Sequence, residues 1–158
     1  MPRYLRPTLL TIGALILGWT APALGQTRAL QQRLATTTSL QCTFSVVASG
    51  RWDTGTPTAA VRPVTIEVSF TNVNADEGTA DADSRFGASF IVVRSTNAYL
   101  HLMQMHSAGP LYTTTVLARE ISPGRLMAIH TRHEYTDVDL PGFTSKPEMY
   151  LGDCALGT

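Results

Sequence analysis

The chain contains only two cysteines, Cys42 and Cys154, which stand near opposite ends of the 158-residue sequence. A disulfide requires its two Cα atoms to lie about 4.4–6.8 Å apart. If the cysteines are joined, the segments that carry them must be neighbours in the fold, as in a closed barrel or a compact sandwich. Two free buried thiols, or pairing between molecules, are the alternatives to a Cys42–Cys154 disulfide.

The first 25 residues have the pattern of a secretory signal peptide. Arg3 and Arg6 form a short positive region, residues 9–19 form an apolar region, and small residues precede a cleavage position before Gln26. The apolar run is shorter than the roughly 20 residues that a membrane-spanning helix needs. We therefore predict an exported protein, periplasmic or extracellular, without a stable membrane anchor. An exported chain meets an oxidising environment, in which paired cysteines usually form a disulfide.

Cleavage would leave residues 26–158 as a single domain, in agreement with the usual size of domains. The composition, 44% hydrophobic and 15% charged, is too apolar for a disordered chain. Without its signal the chain carries ten Lys and Arg against twelve Asp and Glu, a net charge of −2, and the basic residues form no run. A nucleic-acid-binding domain normally has a basic excess or a basic stripe. The sequence therefore predicts no nucleic-acid partner.

Most of the remaining sequence alternates between apolar and polar residues, which is typical of half-buried strands. The segments with strand character are residues 40–46, 64–70, 86–93, 99–105, 111–118, 126–135 and 149–154. One short helix is predicted over residues 27–34, and loops are predicted over residues 50–57 and over the acidic stretch 72–84. No helix is long enough for a crossover between parallel strands. The predicted fold is an all-β, small antiparallel barrel-like or sandwich domain of about seven strands, with a short N-terminal helix and a disulfide between the first and last strands.

A group of soft metal ligands stands on one predicted strand. On a strand His101, Met103 and Met105 would project from the same face. Imidazole and thioether groups together suit Cu(I), so a periplasmic Cu(I) carrier is one hypothesis. The alternative is that the two methionines fill the core, because methionine is a common gap-filler. The sequence predicts no other metal site and no cofactor.

Polar residues are densest between positions 130 and 134. Alternation would place His130, Arg132 and Glu134 on one face and His133 on the other. Together with Trp52, the only tryptophan that would remain after cleavage, these residues are the candidate contacts with a ligand or partner. No motif of nucleophilic catalysis is present, so no catalytic residue is predicted and an uncharacterised hydrolase is only an alternative.

Three short segments resemble the small periplasmic lysozyme-inhibitor barrels. They are Leu-Gln-Cys at residues 40–42, Ser-Ala-Gly-Pro-Leu-Tyr at residues 107–112 and Cys-Ala-Leu at residues 154–156. The resemblance covers about a tenth of the mature chain, implies an envelope inhibitor of lysozyme, and assigns no functional residue.

The absence of catalytic motifs favours a binding protein. A small exported barrel can hold a small apolar molecule in its interior or present its surface to an envelope protein. We therefore predict an exported, non-catalytic binding protein whose ligand is one of these two. A lysozyme inhibitor, a Cu(I) carrier and a hydrolase are the alternatives.

Overall fold

The computed structural model of the chain describes residues 21–82, 90–106, 110–133 and 146–157. Its elements, in chain order, are α1 (Ala21–Ala35), β1 (Ser39–Asp53), β2 (Thr56–Asn74), β3 (Thr79–Ala82), β4 (Phe90–Ser95), β5 (Tyr99–Met105), β6 (Leu111–Ser122), β7 (Arg125–His133) and β8 (Glu148–Gly157).

The strands form one antiparallel sheet in the order β3-β2-β1-β8-β7-β6-β5-β4. Apart from β3 and β4, strands that follow each other in the chain are paired neighbours, and the first and last strands, β1 and β8, also pair. The two edge strands, β3 and β4, approach each other, and the Val93 amide of β4 donates a hydrogen bond of 2.8 Å to the Gly78 carbonyl just before β3. The sheet therefore rolls into a nearly closed barrel, which confirms the predicted fold class.

The disulfide joins the strands that the sequence predicted it would join. Cys42 and Cys154 are directly opposite each other in the β1–β8 register, their sulfurs are bonded, and both side chains are buried. Their Cα atoms are 4.0 Å apart, slightly closer than the expected range. The bridge therefore reinforces a strand pair that backbone hydrogen bonds already hold.

Most element boundaries differ from the sequence prediction, and three differences bear on the sites. The predicted loop at residues 50–57 is the tip of a long hairpin, because Thr54 and Gly55 both have positive φ and turn the chain in two residues. The predicted acidic loop contains the short strand β3. The helix is longer than predicted: it runs Ala21–Ala35 and so spans the predicted cleavage position before Gln26.

Large apolar side chains fill the interior of the barrel. Leu34 of α1 is buried against the core and Leu30 packs beside it. The largest apolar side chains that are fully buried include Phe44, Phe70, Leu40, Leu100, Leu102 and Leu126. Side chains rather than an open cavity therefore occupy the described interior.

Candidate functional site

The interior changes from apolar to polar along the barrel. Helix α1 leads into the end where Ser39 pairs with Gly157, and we call the opposite end the mouth. Two rows of inward-facing residues cross the strands there: Tyr112, Arg132 and Glu148 form the outer row, and Thr114, His130 and Tyr150 the inner row. These six residues and Gln104 of β5, which is opposite Tyr112, are together called the mouth cluster. Apart from Arg132, every member is buried.

Two side chains fix the protonation pattern of His130 at the centre of this cluster. The Thr114 hydroxyl lies 2.9 Å from His130 Nδ1, and Arg132 Nε donates to His130 Nε2 over 3.5 Å. Because arginine only donates hydrogen bonds, Nε2 must accept. The neutral ring then carries its proton on Nδ1 and donates it to Thr114.

Burial keeps His130 neutral. Loss of water around the ring, and secondarily the positive charge of Arg132, lower the pKa of His130 to about 3. The imidazole is therefore a fixed, uncharged hydrogen-bonding group across the physiological pH range, and it is not placed to act as a proton shuttle.

The guanidinium of Arg132 lies between two tyrosines. Its central carbon is 5.3 Å from the centre of the Tyr112 ring and 5.1 Å from the centre of the Tyr150 ring, within the range of cation–π attraction. The Tyr150 hydroxyl donates to the Glu148 carboxylate. Burial, reinforced by that hydrogen bond, raises the pKa of Tyr150, so its hydroxyl keeps its proton. The described residues form no salt bridge with Arg132.

A second imidazole borders the same cluster. The ring of His106 packs edge-on against Tyr112, with 4.9 Å between the ring centres. Its Nε2 atom is buried and has no hydrogen-bond partner among the described residues. A buried polar atom without a partner is costly, so the mouth holds a hydrogen-bonding position that the described part of the chain leaves unused.

The structure separates the residues predicted to contact a ligand. His130 and Arg132 share one face, as alternation predicted, and the structure makes it the inner face, whereas His133 is exposed on the outer surface and hydrogen-bonds to Thr131. Glu134 lies outside the described residues. Trp52 lies in neither place: it stands near the tip of the β1–β2 hairpin, with 53% of its surface exposed.

The predicted copper ligands also lie on the outer surface. His101 and Met103 are half-buried and Met105 is exposed, all on the outer face of β5. The ring of His101 stacks on Tyr99 and its Nδ1 lies 3.0 Å from the Thr115 hydroxyl. The alternative reading, in which the methionines fill the core, therefore does not describe their position. Within the described ranges, no three His, Cys, Asp or Glu side chains are grouped to hold a metal ion.

The hairpin projects beyond the mouth as a two-stranded arm. Strand β8 pairs with β1 only as far as Ser49, so we call residues 50–59 the arm. Its two faces differ, because directly opposite residues share a face. Trp52 faces Pro57, and Gly50 faces Ala59, all on one side. Arg51 faces Thr58 on the other side and donates a hydrogen bond to its hydroxyl.

The apolar side of the arm continues onto the barrel. Val61 of β2 is opposite Ala48 of β1, which is in turn opposite Met149 of β8. The next row places Val46 opposite Leu151. We call this surface the apolar face; it comprises Val46, Ala48, Trp52, Pro57, Ala59, Val61, Met149 and Leu151. Val61 is 72% exposed and Met149 41%, so the face is open to solvent.

Sequence reasoning missed most of the mouth cluster and the apolar face. Gln104 and Thr114 occupy inward positions of strands whose other inward residues are mainly apolar, and such a break in the pattern was the available signal. The apolar face has a clearer signal, since every second residue from Val46 to Trp52 lacks a polar side chain. The prediction of a loop over residues 50–57 obscures this signal, because a loop there would end the alternation before Trp52.

Comparison of the chain with protein-family models, with curated proteins and with solved structures gives no match. In the part of the chain that the structure describes, no helical segment has the length and hydropathy of a membrane span.

Proposed function

We propose that the protein is an exported, non-catalytic binding protein whose ligand is another protein of the envelope or the extracellular space. The observation that carries this proposal is the apolar face, where the large side chains of Trp52 on the arm and Val61 beside it on β2 are 53% and 72% exposed. Contiguous exposed apolar surface is typical of interaction sites. Tryptophan is also enriched among the residues that dominate binding energy.

The arm itself supports a partner. A two-stranded hairpin is only marginally stable in water, and most of the residues between Arg51 and Arg62 are exposed. A partner that covered one side of the arm would bury its apolar side chains and leave Arg51, Asp53 and Thr58 at the polar edge. This arrangement of apolar centre and polar rim is common in protein interfaces.

The interior gives less support to a small apolar ligand. Phe44, Phe70 and Leu102 are fully buried inside the barrel, whereas a cavity for a small molecule usually measures about 300–1,000 Å³. Of the two ligands that the sequence left open, a protein on the outer surface therefore fits the geometry better.

Export is supported by the N-terminal sequence pattern and by a buried disulfide, which is rare in the reducing cytosol. The helical side chains known to contact the core, Leu30 and Leu34, both follow the predicted cleavage position. Cleavage would leave these contacts in place. Intact-mass measurement of the protein recovered from its native host should give a chain that begins at Gln26; a mass that includes residues 1–25 would refute cleavage.

Site-specific photo-crosslinking in the native host tests the binding function. A photoreactive phenylalanine analogue replaces Trp52 on the apolar face, and in a matched protein it replaces the neighbouring Arg51 on the polar side. We expect one defined protein to be crosslinked from position 52 and not from position 51. With that protein purified, Trp52→Ala should weaken binding at least tenfold and Arg51→Ala should change it less than twofold.

Three results would overturn the proposal. Equal crosslinking from both positions would show that the face is not selective. Crosslinks only to a second copy of the chain would make the face a dimer interface, and crosslinks only to lipid would make it a membrane-surface contact.

A further inference from the structure

The strongest unassigned feature is the guanidinium of Arg132. The two tyrosine rings contact it through cation–π geometry, and its Nε group points to His130 Nε2. These contacts hold the planar group in one orientation before any ligand arrives. The two terminal nitrogens, with four N–H groups, form the fork that binds carboxylate and phosphate groups with two parallel hydrogen bonds.

The carboxylate at the strand position opposite Arg132 is already engaged. Glu148 is directly opposite Arg132 in the β7–β8 register, yet its hydrogen bond is with the Tyr150 hydroxyl, and no salt bridge joins it to Arg132 among the described residues. Tyr150 thus holds the carboxylate that would otherwise compete for the guanidinium.

A second positive charge faces the same point. Arg62 is opposite Val47, and Val47 is opposite Tyr150, so Arg62 stands on the inward side of β2 at the mouth. Its charge acts on the Tyr150 hydroxyl. Among these described residues, the positive charges of Arg62 and Arg132 therefore outnumber the negative charge of Glu148.

The vacant hydrogen-bonding position of His106 adds an independent observation. Its Nε2 atom is buried and finds no partner in the part of the chain that the structure describes, and its ring lies against Tyr112, the ring that also contacts Arg132. Depending on its tautomer, this nitrogen can donate to an oxygen ligand or accept from the ligand's protonated form.

We propose that the mouth is an oxyanion-binding site, in which Arg132 binds a carboxylate or phosphate group, Arg62 adds favourable charge, and His106 supplies a further hydrogen bond. This site differs from the apolar face in position and chemistry, and it does not depend on the proposed protein partner. The two sources of the oxyanion, a carboxylic acid and a phosphate, share this recognition and are separated by the experiment.

NMR of the arginine Nε–Hε signals in the ¹⁵N-labelled, disulfide-bonded protein tests the site. The protein is titrated separately with sodium succinate, sodium phosphate and, as a control for ionic strength, sodium chloride. We expect the Arg132 signal to shift to saturation with succinate or phosphate, whichever is the preferred class, and not with chloride. The signal of Arg125, which forms an ion pair with Asp153 on the outer face of the same strand, should not saturate.

Three variants extend the test. Arg132→Lys should weaken the anion at least tenfold, followed through the Tyr150 and His106 signals, whereas the matched Arg125→Lys should leave affinity unchanged. Arg62→Gln, at an exposed position, should weaken binding about threefold. Tyr150→Phe keeps the ring but frees Glu148 to compete for Arg132, so it should also weaken binding.

A linear shift that is identical in all three salts would overturn the proposal. So would unchanged affinity in both Arg132→Lys and Arg62→Gln. Trp52→Ala should leave anion binding unaltered, so failure of the apolar face and failure of the mouth are observed separately.

Discussion

The two ends of the barrel interior are built from different chemistry. At the end near α1, Leu40, Leu126 and the Cys42–Cys154 disulfide are buried. At the mouth, inward-facing positions further along the strands are occupied by His130 and Glu148, which are also buried. Apolar burial stabilises the fold without directional demands, whereas a buried polar group must find a partner of the right geometry. The first end therefore supplies stability, and the mouth places hydrogen-bonding groups in fixed orientations at some cost to stability.

Among the changes that test this difference between the two ends, removal of the disulfide should have the largest effect on the free energy of unfolding. In the double variant Cys42→Ser/Cys154→Ser, the unfolded chain regains the freedom lost by closing a loop of 112 residues, and the free energy of unfolding should fall by about 4 kcal/mol. Urea unfolding at pH 7 measures it. A fall of less than about 1 kcal/mol would show that strand pairing alone holds this end together.

The mouth should respond most strongly to pH. The pKa of His130 is 6.5 when unfolded and about 3 when folded, so the unfolded chain binds the extra proton between these values. The stability that depends on a neutral His130 ring is therefore complete above pH 6.5. It falls as the pH drops towards 3, by at most about 1.4 kcal/mol per pH unit.

Unfolding measured from pH 7 to pH 4 checks this dependence. In His130→Gln the slope in that window should decrease, because the titrating group is gone, while the exposed control His133→Gln should keep the slope of the parent. An unchanged slope in His130→Gln would mean that the buried ring is not the titrating group.

Replacement of Thr114 tests whether the buried His130 needs a hydrogen-bond partner of the right geometry. We expect a smaller loss of stability than for the disulfide. Thr114→Val keeps the shape but leaves the His130 Nδ1–H group without its acceptor, so we expect a loss of about 1–2 kcal/mol. The matched change Thr113→Val, at the half-buried outer position of the same strand, should cost less than about 0.5 kcal/mol. Equal losses would show that the mouth tolerates unpaired groups as well as the surface does.

The smallest effect on stability is expected on the arm. Trp52→Ala removes a side chain that is 53% exposed, so the free energy of unfolding should change by less than about 0.5 kcal/mol. Thermal unfolding of the two proteins measures this difference. A large loss would mean that Trp52 packs against the chain itself, and the arm would then belong to the core rather than to an interface.

The sequence predicted the parts of the fold that depend on periodicity. Alternation around Cys42 identified the first strand, and the position of Cys154 predicted that the last strand lies beside it. The long hairpin is not evident from the sequence, because Gly50, Gly55 and Pro57 are residue types that predict a loop. In the structure a two-residue turn at Thr54–Gly55 lets both strands continue to the tip.

The candidate sites were predictable only in part, because they depend on which strands pair. Alternation placed His130 and Arg132 on one face, but no local pattern indicates that Tyr112 and Tyr150 flank the guanidinium. Those contacts come from the register of β6, β7 and β8. The partner strands are separated in sequence from one another, and the register is set by the whole barrel.

The two prolines of β2 have a consequence for how the arm can be approached. From the turn onward, Asp53 and Thr56 form the first hydrogen-bonded pair, so the nitrogens of Pro57 and Pro63, one and seven residues further on, point away from β1. These positions lie on the side of β2 that, over residues 56–69, pairs with no other described strand. A passing strand would find donors missing at both positions, which is a known protection against edge-to-edge aggregation. The arm can thus expose apolar side chains without becoming a template for sheet growth.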